Sequence, residues 1–273
     1  MLPGSGRGAH RALRLELTVS LEHLEYVDRA LELVDAARER GLELRILGSL
    51  AYRLHCPANI ALFEQMKRDL TDIDFAGRSA ERKQVRSFLE ERGFVIDQDL
   101  LVTTEGKRYF FTDPASGTGV DVFFDELFFC HPIPLRDRLE LDYPTITLAD
   151  LLLEKMQIVE LNPKDIKDTI VLLSEHALAS GEREAIDAGY IAKLLADDWG
   201  FYYTVTRNLE AVRSRLTEYA MLTSDQAGVI RQRLGDLQQA IEVEPKTRKW
   251  KVRARIGSRV KWYQEVAEKS ATY

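Results

Sequence analysis

The sequence predicts an α+β (α/β) fold, with short strands and helices in the first half and a helical lobe in the second. Three observations carry this. Between residues 44 and 124, short apolar runs alternate with segments of helical period. Beyond residue 147 the periodic segments are all helical, as in Tyr190, Ile191, Leu194 and Leu195. Hydrophobic residues make up 45% and charged residues 30% of 273, an ordinary globular composition with material for a sizeable core.

The elements follow in order. Ser20 is placed to cap a helix to about Arg40, with Leu21, Leu24, Val27, Leu31 and Val34 on one stripe and Gly41 as the stop. Leu44 to Leu47 reads as a strand, Gly48-Ser49 as a turn, and Leu50 to Leu54 as a helix interrupted at Pro57. Helix returns from Ile60 to Lys67 and leads into a strand carrying Asp72 and Asp74. Ser79 to Arg92 is a helix and Phe94 to Ile96 a strand. Leu100 to Thr104 and Lys107 to Phe111 are expected as strands of a hairpin turning at Glu105-Gly106. Val120 to Phe124 is a further strand, holding Asp121 among apolar neighbours. Thr147 or Asp150 caps a helix from Leu151 to Glu160, and Lys164 to Ser174 forms the next. Ile186 to Asp197, Phe201 to Tyr219 and Ser224 to Ala240 complete the helical part.

The chemistry centres on the acids. A strand has a side-chain period of two, so Asp72 and Asp74 share a face while Ile73 and Phe75 turn to the core. Adjacent carboxylates repel, and hard oxygen donors of this kind suit Mg2+, which takes one or two carboxylates together with phosphate oxygens. An unpaired buried Asp121 would be costly, and a shared cation would relieve it; otherwise Asp121 lies on a solvated strand face. Gly48 lets the backbone approach a ligand, and the helix N-terminus behind Ser49 offers N–H groups to phosphate.

These residues resemble the polymerase-beta-type nucleotidyltransferase superfamily, and within it the AbiEii-like toxin nucleotidyltransferases and their uncharacterised relatives. The matching signatures are Leu47-Gly48-Ser49-Leu50-Ala51, Arg68-Asp69-Leu70-Thr71-Asp72-Ile73-Asp74-Phe75, Leu153-Glu154-Lys155-Met156 and Pro163-Lys164-Asp165-Ile166-Lys167-Asp168, within roughly residues 25 to 178. The resemblance implies a mixed β-sheet with flanking helices and a Mg2+- (or Mn2+-) dependent transfer of a nucleoside monophosphate from an NTP to an acceptor hydroxyl. It implies metal ligation and catalysis by Asp72, Asp74 and Asp121, and nucleotide binding by Gly48, Ser49, Arg68, Lys155 and Asp168. Lys155 and Arg68 are its candidates for the cation facing the triphosphate. Arg68 reads equally as a surface charge, and Asp168 either orients Lys155 or lies on a helix surface. The alternatives are a catalytically silent nucleotide- or RNA-binding module on the same fold, or a phosphodiesterase using the same ions.

The domain expectation is a flexible tail at 1–18, a catalytic domain at 19–146 and a helical domain at 147–273. The last carries a basic end at 245–261. There Lys246, Arg248, Lys249, Lys251, Arg253, Arg255, Arg259 and Lys261 occur without an acid, with Trp250, Trp262 and Tyr263 interleaved or adjacent. Cations with aromatics suit an RNA or tRNA acceptor, through phosphate contacts and base stacking; an amphipathic surface helix is the plainer reading. An antitoxin partner belongs to the toxin-like reading. At a net charge of −6, no global basicity points to nucleic acid. Cys56 and Cys130 are expected as buried thiols, and no His/Cys spacing suits zinc. His55 and His131 are expected to be structural. No apolar run spans a bilayer and the N-terminal stretch lacks a signal-peptide block, so a cytoplasmic chain without a membrane partner is expected.

Overall fold

The computed structural model describes residues 25–182 and 184–265. The tail expected at 1–18 and the start of the first helix, with its cap at Ser20, lie outside these residues. Residues 25–39 are helical (α1). There follow β1 (Leu44–Leu47), α2 (Gly48–His55), α3 (Ile60–Gln65), β2 (Asp72–Gly77), α4 (Arg82–Glu90), β3 (Val95–Ile96), α5 (Gln98–Thr103), β4 (Arg108–Thr112) and β5 (Gly119–Phe124). A small antiparallel pair, β6 (Glu126–Phe128) and β7 (Pro132–Pro134), precedes α6 (Leu148–Met156) and α7 (Pro163–Glu175). A short parallel pair, β8 (Leu178–Ala179) and β9 (Ile186–Asp187), leads to α8 (Ala188–Asp197), α9 (Trp199–Arg215), α10 (Ser224–Val243) and α11 (Arg248–Ile256).

The fold is α+β. The central sheet has the order β1-β2-β5-β4-β3, parallel only between β2 and β5. Its register sorts side chains by face. Ile46, Phe75, Val122 and Tyr109 are successive cross-strand partners, as are Ile73, Val120 and Phe111, and all are buried. The other face carries the row Leu47, Asp74, Asp121, Phe110. Period two thus divides an apolar face from the one that holds the acids. The apolar face lies toward α1: Ile73 lines a cavity of about 520 Å3 with Tyr26, Arg29 and Phe94.

The loop ahead of α6 is stitched to the outer side of β1 by Ile46 N donating to Pro144 O (2.9 Å) and Ile146 N to Ile46 O (3.0 Å). This sets α6 beside α2, and α7 packs on both. Thr147 caps α6, accepting from Asp150 N, and Asn162 with Asp165 forms a capping box on α7. One apolar cluster runs from Ala30 in α1 to Ile241 in α10, through both the sheet and the helices.

The expected hairpin around Glu105-Gly106 is overturned. Residues 98–103 are helix, because Asp97 accepts from Leu100 N as an N-cap, and β4 pairs with β3 instead. A local cap and a pairing partner further back in the chain outweighed the β-branched character of Val102, Thr103 and Thr104. Helix α6 also stops at Met156, short of the expected Glu160. Cys56 and Cys130 are free and buried. Among the described residues no helix is long and apolar enough to cross a membrane.

Candidate active site

Asp72, Asp74 and Asp121 come together on one face. Asp74 and Asp121 are direct partners across the parallel β2–β5 pair, on strands about 4.8 Å apart. Asp72 lies one side-chain period earlier and faces Gly119. The three grade inward: Asp72 is exposed, Asp74 half-buried and Asp121 buried at 5% exposure.

Two glycines make the close approach possible. A Cβ on Gly48 would stand 2.2 Å from Asp74 Oδ2, and one on Gly119 would stand 2.8 Å from Asp72 Oδ1. Gly48 also has φ +68°, which L side chains rarely adopt, where β1 passes directly into α2. The sequence assigned Gly48 to a ligand's approach; in the fold its bare Cα first admits Asp74. Its N–H is already committed, donating to Glu154 Oε2 at 3.0 Å. Ser49 is half-buried in the first turn of α2, whose N-cap residue Leu47 makes no side-chain cap bond.

Lys155, Arg68 and Asp168 form a buried network beside this turn. Arg68 grips Asp168 with a fork, Nε to Oδ1 at 2.8 Å and Nη2 to Oδ2 at 2.9 Å. Lys155 Nζ lies 3.6 Å from Asp168 Oδ2 and donates to Glu154 Oε1 at 2.6 Å. Glu154 completes the chain to the Gly48 amide. Arg68 (7% exposed), Lys155 (9%) and Asp168 (0%) are therefore not surface charges. The network orients Lys155, one of the two roles considered for Asp168, and ends at the strand-to-helix turn.

The electrostatics separate the two groups. Burial would lower the Lys155 ammonium, but the Glu154, Asp168 and Asp165 carboxylates outweigh it and raise it. Burial pushes the Asp74 carboxyl up to about 8, helped by Asp121, Glu154 and Asp72 and opposed by Lys155. The protein thus leaves the charged form of Asp74 incompletely compensated, which holds the carboxyl largely protonated at neutral pH.

Asp121 is compensated. Arg108 donates from Nε to Oδ1 at 2.7 Å and from Nη2 to Oδ2 at 2.6 Å. Sequence reasoning missed this pair, although Arg108 and Phe110 alternate with the buried Tyr109 and Phe111 and so belong to the acidic face. It also left Glu154 without a role. Nothing local marks Glu154, whose partner lies 106 residues away.

Among the described residues no group of three or more His, Cys, Asp or Glu side chains is arranged to hold a metal ion. What the face offers is a carboxylate pair, Asp72 and Asp74, and Mg2+ is commonly held by one or two carboxylates with phosphate oxygens completing its shell. That donor set fits a divalent ion carried in with a phosphate substrate.

The other candidates lie elsewhere. His55 Nε2 pairs with Thr145 Oγ1 at 2.6 Å, and His131 stacks on Phe201 with ring centroids 5.0 Å apart. In the basic segment, Trp250 packs edge-on against Tyr202, while Trp262 packs against Tyr203 and donates from Nε1 to Thr204 Oγ1 at 3.1 Å. Both rings lie against α9 and are half-buried. Arg248, Lys251, Arg255 and Arg259 stay exposed. Comparison with family models, curated proteins and solved structures found no match for this chain.

Proposed function

We propose that the chain is a divalent-metal-dependent nucleotidyltransferase that moves a nucleoside monophosphate from an NTP to an acceptor hydroxyl and releases pyrophosphate. The observation that carries the reading is the meeting of Asp72 and Asp74 with the glycine-opened start of α2, where the bare Cα of Gly48 leaves room for the Asp74 carboxylate. The resemblance to the polymerase-beta-type superfamily, in its AbiEii-like branch, points the same way.

Asp72 and Asp74 hold the ion, Mg2+ or Mn2+. The ion would offset charge on the triphosphate and on the departing pyrophosphate. Ser49 and the first-turn amides of α2 beyond Gly48 meet the terminal phosphates. Glu154 fixes the Gly48 amide, and Lys155, held by Glu154 and Asp168, fixes Glu154 in turn. The acceptor we favour is RNA, tRNA included, docking its phosphates on the exposed cations of α11; protein and small-molecule hydroxyls are the other acceptor classes. A toxin role adds an antitoxin partner, and a cytoplasmic location accords with both.

One observation favours the second reading, a catalytically silent nucleotide-binding module. Lys155 and Arg68 both direct their charge at buried carboxylates rather than into an open cleft. The deciding assay incubates the protein with α-labelled NTP and RNA, protein or small-molecule acceptors, with Mg2+ or with chelator. Label transfer only with the metal, abolished in Asp72→Ala plus Asp74→Ala, is the expected result. Full transfer by that double variant sinks the assignment. NTP binding without any transfer leaves the silent module.

A further inference from the structure

The register that brings three aspartates together also brings a cation to one of them. Phe110 is the cross-strand partner of Asp121, and Arg108 lies one side-chain period from Phe110 on the same face. Arg108 therefore reaches Asp121 along the diagonal of an antiparallel pair, from within a strand. Its fork takes both carboxylate oxygens, and its guanidinium carbon lies 4.9 Å from the centroid of Phe123, the next residue on that face of β5. Ring, carboxylate and strand together immobilise it.

The fork occupies both oxygens of Asp121, which leaves the Asp72 and Asp74 carboxyls as the donors for a divalent ion. A second ion against Asp121 would meet Arg108 at close range.

We infer that this face takes one divalent ion, held by Asp72 and Asp74, and that Arg108 and Asp121 form a positioning pair that backs Asp74 in place of a second metal site. This rests on the metal-binding reading of the face and revises Asp121 from ligand to support. Asp121 shapes the field at Asp74 from the neighbouring strand, and Arg108 keeps that carboxylate aimed and occupied.

The test counts Mn2+ bound to the full chain by electron paramagnetic resonance, with Mn2+ alone as the probe. Wild type binds one ion. Asp74→Asn loses it. Asp121→Asn keeps one ion, at an affinity within about tenfold of wild type, the scale of a supporting partner. Arg108→Gln, which leaves Asp121 to seek another cation, binds two. Should Arg108→Gln fail to fold, the Arg108→Gln/Asp121→Asn pair restores a neutral hydrogen-bonded couple and binds one. Two ions on wild type with one lost in Asp121→Asn overturns the inference and leaves the metal reading intact. So does an Asp121→Asn that loses its only ion, or a folded Arg108→Gln that still binds one. A wild type that binds none, with Mn2+ alone and again with pyrophosphate added, overturns both.

Discussion

At the scale of single residues, missing atoms decide the site. Gly48 and Gly41 both have positive φ, +68° and +73°, but only Gly48 has an atom in the way of a side chain. Gly41→Ala is expected to destabilise by about 1 kcal/mol through backbone strain alone. Gly48→Ala adds a clash with Asp74 Oδ2 at 2.2 Å, so it costs more and displaces the carboxylate. Urea denaturation of the two variants, with Mn2+ binding measured alongside, separates strain from displacement. Equal stability losses and unchanged Mn2+ binding would show that Gly48 does not gate Asp74. The Gly-Ser turn was legible from its composition. The carboxylate behind it was not, because contact between residues 48 and 74 depends on how β1 pairs with β2.

Helices α6 and α7 show the same limit one scale up. Local spacing narrows the cap of α6 to Thr147 or Asp150, and Thr147 takes it; Asn162, not read as a cap, opens α7. The buried charges of both helices could not be read locally. Asp168 is fully buried, held by Arg68 from the chain ahead of β2 and approached by Lys155 from α6. Removing one member of such a pair strands the others without water, so Asp168→Ala is expected to cost about 3–5 kcal/mol. Arg68→Met combined with Asp168→Leu removes both charges of the fork and recovers part of the loss. Chemical denaturation of the single and double variants checks this; an Asp168→Ala within 1 kcal/mol of wild type would place these charges in contact with water. Helix α5 failed in the opposite sense. Its β-branched residues suggested a strand, but the Asp97 cap made it helical and β3 took the place beside β4.

Over the whole molecule, the two halves of the chain are fastened at His131. Its ring stacks on Phe201 of α9 and pairs with Thr204, which also accepts from Trp262, and Gln264 N donates to Cys130 O beside it. Burial lowers the His131 imidazole to about 4, against a weaker opposing pull from Asp198. A histidine lowered in the folded state contributes stability above its unfolded pKa and loses it as pH falls through the folded value. Between pH 6.5 and about 4 this amounts to about 3 kcal/mol. Asp142 and Asp150, both raised by burial to about 6, act in the reverse sense, destabilising as pH rises from about 4 to about 6. Comparison of wild type with His131→Phe isolates the histidine, since the ring stack survives and the aspartates are common to both. The variant's urea midpoint is expected to fall less than that of wild type between about pH 7 and about pH 4.5. Parallel losses would show that His131 does not report on this junction.

The sequence by itself determined the alternation of strand and helix up to residue 124 apart from α5, the helical second half and the face that Asp72 and Asp74 share. All of these follow from periodicity and caps, whose causes lie within a few residues of one another. Only the tertiary structure decided that Asp74 faces Asp121 in register, that Arg108 occupies Asp121, that Glu154 reaches the Gly48 amide, and that Trp250 and Trp262 pack into the helical lobe. Each is a contact between distant segments. Its energy depends on strand order and on the exclusion of water, and neither quantity is a property of any local stretch of chain.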